Sequence, residues 1–187
     1  MLEWRAFAVF FDWGADPPGA ARPLDKMRRG LELLRELGVR LYDGLLKSAL
    51  AAEEAKAGHL LRAIEVVDEA LANSMRTGQT TFDAELHRLR GEALSQLHPD
   101  NAGPGEEALG RAIEIARQQG ARSFELRAAL SLAKLYQSTG RPVEAHAVLA
   151  PALEGFAPTP DMPEIAEAQA LVAALAETEE VKDAEAA

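Results

Sequence analysis

Cysteine is absent from the 187 residues, which excludes disulfides, thiolate metal sites and cysteine nucleophiles and suits a reducing compartment. Aromatic residues are scarce, at 5%, and strand formers are sparse beside Ala, Leu, Glu, Arg and Gln, the residues of helices. Basic charge is short as well: 20 Lys and Arg stand against 30 Asp and Glu, for a formal net charge of −10. A field of that sign argues against a nucleic-acid sheath, because phosphate binding needs clustered cations. No apolar run approaches the roughly 20 residues of a membrane span. The opening "MLEWRAFAVFFDWG" has too short an apolar stretch for a secretory leader, with Glu3 where a leader is positive, so it reads as helix. A cytoplasmic protein is expected, with neither nucleic acid nor a membrane as partner.

What the chain does contain is a repeat. Three segments align after a glycine, and an aromatic falls four residues beyond each: Tyr42 after Gly38, Phe82 after Gly78, Phe124 after Gly120. The glycines are 40 and 42 residues apart. Each ends an amphipathic segment, clearest in "LGRAIEIARQQG", where Leu109, Ala112, Ile113 and Ala116 recur at helical spacing and leave Glu114 and Arg117 on the other face. A glycine there can take the left-handed conformation that closes a helix. In the partner segment "SFELRAALSLAKLY", Phe124, Ala128, Leu132 and Leu135 line one side, and Leu126, Ala129, Leu130 and Ala133 another. A helix apolar on two sides must be packed on two sides.

The expected fold class is therefore all-α: an α-solenoid of stacked antiparallel helical hairpins with a period of about 40 residues and roughly nine helices. Helices are expected near residues 4–13, 22–37, 39–57, 59–77, 79–97, 105–119, 121–139, 141–155 and 161–177. They form one domain over residues 1–178, with hairpins at 4–37, 39–77, 79–119 and 121–155 and a capping helix at 161–177. "HPDNAGPG", "TGRP" and "APTPDMP" punctuate the helices. From Asp161 onward there are eight Asp or Glu and one Lys, and residues 179–187 read as a frayed acidic tail.

These residues resemble the tetratricopeptide repeat family. Leu132, Ala133 and Tyr136 match its first helix, and Ala145, Leu149 and Ala152 its second, with Pro158 one place late. One unit earlier Gly91, Leu94, Leu109 and Ala112 match; before that, Leu50, Ala51, Ala63, Val67 and Ala70 match, while Glu54 replaces the aromatic. The first unit matches weakly, around Phe10 and Phe11. The family's period is about 34 residues, so longer helices are expected here. "GVRLYDGLL", "TGQTTFDAELHRLRGEAL" and "QQGARSFELRAALSLAKLYQSTGRPVEA" look like the C-terminal repeat region of large bacterial signalling proteins. Such proteins often carry a nucleotide cyclase or signalling ATPase domain upstream. The resemblance implies a docking or sensor region that binds a protein or peptide, or upstream domains of a longer parent chain. No cyclase or ATPase motif lies within these residues.

In a stack of that family the first helices line the concave side, where Lys56, Arg88, Glu92, Arg127 and Lys134 would be exposed. Four of the five are basic, so a local positive groove for an acidic peptide is one reading. The other is a solvated face whose charges pair internally, Arg88 with Glu92 for instance. A pocket between hairpins that senses a small molecule is a further functional alternative. Trp4, Phe7, Phe10, Phe11 and Trp13 read as hairpin core or as a homodimer surface. Asp83 and His87 share a helix face, with Glu85 roughly opposite. A metal-dependent hydrolase around Asp83 and His87 is the remote alternative, although two groups do not make a metal site and no HExxH motif accompanies them. Asp83 reads as a helix-start charge and His87 as a packing position. No cofactor, no bound metal and no enzymatic activity are expected.

Overall fold

The computed structural model describes residues 24–40, 42–159 and 162–186. Among them every regular element is an α-helix: α1 (Leu24–Glu36), α2 (Asp43–Lys56), α3 (Leu60–Thr77), α4 (Asp83–Leu97), α5 (Gly103–Gln119), α6 (Arg122–Ser138), α7 (Pro142–Leu153) and α8 (Pro163–Ala186). The helix expected near residues 4–13, and with it Trp4, Phe7, Phe10, Phe11 and Trp13, lies outside the described residues. The chain divides into two compact units, the first ending at Phe82 and the second beginning at Asp83. The boundary between the units falls in the turn ahead of α4.

In the first unit α2 and α3 form a hairpin, and α1 packs on α2 without touching α3. The core joins Met27 and Leu34 of α1, Leu46, Leu50 and Ala51 of α2, and Ala63, Val66, Val67 and Ala70 of α3. The glycine signal marks the stops: Gly78 takes φ 74°, and its N–H donates to the Ser74 carbonyl at 2.8 Å. Gly120 closes α5 in the same way, at φ 65°.

In the second unit the hairpins α4–α5 and α6–α7 stack, and α8 caps them. Helix α6 touches α4, α5, α7 and α8, so Leu126, Ala128, Ala129, Leu130, Leu132 and Ala133 are all buried. This is the double-sided burial its sequence requires. The cap contributes Ile165, Ala168 and Leu175. Its backbone stays helical to Ala186, past the expected end at residue 177. Beyond Pro163 the sequence holds neither proline nor glycine and is rich in Ala, Glu and Leu, so nothing in it stops a helix and residues read as a frayed tail propagate one.

One junction recurs in both units with different chemistry. In the second, Tyr136 of α6 donates to Glu106 of α5 at 2.9 Å. Arg141, just ahead of α7, donates to the same carboxylate at 2.7 Å and lies 4.1 Å above the Tyr136 ring. The hydrogen bond from Arg141, joined by one from Tyr136, holds the Glu106 carboxyl below its ordinary value. Burial and the bond to Glu106 raise the Tyr136 phenol. In the first unit Glu54 stands where the aromatic would. It is fully buried and takes both arms of the Arg28 guanidinium from α1 at 2.9 Å each, with His59 Nδ1 3.0 Å away. Preceding helix, first helix and loop residue are joined in both cases. A buried carboxylate is tolerated only when its oxygens are satisfied in this way.

Candidate functional site

The five residues expected on an exposed first-helix face are held in ion pairs. Arg88 is buried, at 8% exposure, which corrects its expected place on an open groove. Its guanidinium forks onto Glu85 at 2.9 and 2.7 Å and reaches Glu92 at 2.5 Å. Burial alone would lower the Arg88 pKa, but the hydrogen bonds it donates to Glu85 and the charge of Glu92 raise it instead. Glu92 also accepts from Ser131 of α6. Arg127 spans three helices, pairing with Glu85 of α4 at 2.9 Å and with Glu164 of α8 at 3.5 Å. Lys134 pairs with Glu167 of α8 at 2.7 Å. Lys56, in the first unit, pairs with Glu53 at 2.8 Å. The expected i,i+4 pair of Arg88 and Glu92 is made. The physical reason for the correction is stacking: α6 packs against α4 and covers a face that an isolated helix wheel leaves open.

Asp83 opens α4, and one of its carboxylate oxygens is buried without a hydrogen-bond partner. Its neighbour Glu85, expected roughly opposite Asp83 and His87, is buried in the Arg88 network. Among the described residues no three His, Asp or Glu side chains come together as a metal site, and no helix there is long and apolar enough to cross a membrane.

A different surface has ligand-binding geometry. Helices α1 and α3 flank α2 without meeting, and between them lies a cavity of about 550 Å³ wholly within the first unit. Six of its lining residues are cationic and three carry carboxylates, in a protein of net charge −10. Its floor is apolar, with Leu31 and Val39 half-buried and Leu46, Leu50 and Val66 beneath. The cations are not equally available. Arg28 is taken by Glu54, and Lys47 by Asp43 and Glu69 at 3.2 and 3.3 Å. Arg62 pairs with Glu65 at 2.8 Å, whereas Arg76 donates to the neutral amide of Asn73 at 2.6 Å. The guanidiniums of Arg35 and Arg40 make no ion pair or hydrogen bond among the described residues. A planar guanidinium with free donors takes a carboxylate through two parallel bonds.

Sequence reasoning passed over these residues because the repeat drew attention to the first helices. A signal exists in "MRRGLELLREL", where Arg28 and Arg35 are seven apart on one helix face with Leu31 between them.

No family model matches the chain, and no solved structure matches it. Over 138 residues, 71% of this chain, it is 34% identical to an uncharacterized protein of Rhizobium meliloti (strain 1021). The chain spans only 13% of that relative's length. The similarity is therefore to one segment of a much longer polypeptide.

Proposed function

We propose that this chain is a non-enzymatic docking region of the tetratricopeptide type, which holds a protein or peptide segment and serves a bacterial signalling or regulatory polypeptide. The observation that carries the reading is the cleft between α1 and α3, where cations outnumber carboxylates and two guanidiniums have no partner among the described residues. The match to a short part of a long relative supports a role within, or beside, a larger chain. Paired helices also suit the role, because the packed core carries the stability and leaves outward side chains for recognition.

Photocrosslinking tests it. A photoreactive residue placed at Leu31, in the cleft, is compared in cells with one at Arg111, on the exposed face of α5. A discrete protein adduct from the cleft position alone is expected. No protein adduct, or the same adducts from both positions, overturns the reading.

A second reading, small-molecule sensing, is favoured by the cavity volume of about 550 Å³, within the range of small-ligand sites, roughly 300–1,000 Å³. A metabolite that raises the melting temperature of the wild type but not of Arg35→Glu/Arg40→Glu would select it.

A further inference from the structure

We propose that the cleft between α1 and α3 takes an acidic amphipathic peptide segment, whose carboxylates bind Arg35, Arg40 and Arg76 and whose apolar side chains cover Leu31 and Val39. The inference rests on the docking reading and names the ligand for it. Three observations carry it. Cations outnumber carboxylates six to three along the lining, and the donors left over are guanidiniums. The floor between them is apolar, so a ligand of charge alone leaves it wet, whereas a segment with Leu-like side chains buries it. The cleft is also long: Arg62 and Arg76, both on its α3 wall, are fourteen residues apart, about 21 Å at the helical rise. A compact dianion cannot span that distance, but a peptide of several residues does.

The same lining disfavours a nucleic acid. Glu32, Asp43 and Glu69 share the cleft, so an evenly charged phosphate backbone meets repulsion there, whereas a peptide can set its few carboxylates against the arginines alone. Arg88, Arg127 and Lys134 belong to the second unit, and their charges are already spent within it.

The test uses the full chain as bait for a display library of random 14-residue peptides, followed by fluorescence anisotropy with a selected peptide. Enrichment of Asp and Glu interspersed with large apolar residues is expected. Replacing the peptide's acids by Gln and Asn, or its apolar residues by Ser, should each weaken binding at least tenfold. Arg35→Glu/Arg40→Glu should do the same with an unchanged circular dichroism spectrum and melting temperature, because both side chains are exposed. Lys56→Glu, on an exposed residue outside the cleft lining, should stay within twofold of wild type.

The proposal is overturned by a selection with no acidic enrichment, by equal affinity for the neutral peptide, or by an unchanged Arg35→Glu/Arg40→Glu variant. Succinate competing as well as the peptide overturns it too, in favour of a small anion. So does a concentration-dependent dimer that Arg35→Glu/Arg40→Glu dissolves, which would give the cleft to the acidic end of a second copy. A protein that still crosslinks at Leu31 while the selected peptides lack acids would remove the acidic ligand and leave the docking reading standing.

Discussion

Glu85 and Arg88 show how far a residue's role depends on its neighbours. Both are nearly buried, at 9% and 10% side-chain exposure, and each keeps the other's charge satisfied. Removing Arg88 leaves the buried Glu85 with Arg127 as its one remaining ion-pair partner among the described residues, so Arg88→Met should cost about 2–3 kcal/mol in urea unfolding. Lys56→Met, at a surface pair with Lys56 70% exposed, should change stability by less than about 0.5 kcal/mol. Equal losses for the two would refute the distinction. Glu106 supplies a pH signature. Its folded pKa lies below the usual 4.5 because Arg141 and Tyr136 donate to it, so the carboxylate stabilises the fold above that pH, and the contribution is lost as pH falls through the folded value. Glu106→Gln should therefore be destabilised at pH 7, with a gap to wild type that narrows progressively below pH 4.5. Unfolding midpoints measured between pH 7 and 3 check the sign. At this scale the sequence showed which residues are charged but not which are covered, because covering is done by other helices.

At the scale of elements the sequence was most legible. Seven of the eight helices start and stop within a few residues of expectation, since glycine and proline punctuation and apolar periodicity are local properties; only the end of α8 departs. The close crossing of α4 and α5 depends on two glycines. A Cβ at Gly91 would fall 2.6 Å from Leu109 Cγ and 3.0 Å from the Gly105 carbonyl oxygen, and one at Gly105 would collide with Ser95 Oγ. Gly91→Ala should therefore destabilise by about 1–3 kcal/mol. A Cβ at Gly110, in the middle of α5, would meet nothing within 4 Å. Gly110→Ala should then stabilise by about 0.5–1 kcal/mol, the ordinary helix preference for alanine. Thermal unfolding of the two variants separates them by the sign of the shift.

On the scale of the molecule, stability passes from neighbour to neighbour within each unit, as in any stack of hairpins. The cap is the exposed end of that chain of contacts in the second unit: Ile165 is 1% exposed and belongs to the cluster that holds Leu126 and Leu149. Ile165→Ala should cost about 2–4 kcal/mol, with amide exchange rising in α6 and α7, the helices it covers. Exchange rising only within α8 would show that the cap is not coupled to the hairpins. Charge is distributed on the same scale. Arg35, Arg40 and Arg76, none in an ion pair among the described residues, line one cleft of a protein of net charge −10, so ligand binding there should weaken steeply between 50 and 500 mM salt, as the Debye length falls from about 14 Å to about 4 Å, while the apolar core should be little affected.

The sequence by itself determined that this chain is helical, where most of its helices end, and that α6 must be packed on both sides, because periodicity, glycine placement and helix propensity act within a few residues. Only the tertiary structure decided which charges are spent and which are spare. Arg88, which the helix wheel turns outward, is consumed by Glu85 and Glu92 under α6, while Arg35 and Arg40, unremarkable in sequence, stand beside a cleft that exists because α1 and α3 flank α2 without closing over it. The pairs of Arg88 lie within its own helix, but its burial under α6 and the opening between α1 and α3 depend on positions far apart in the chain, and no local pattern encodes that distance.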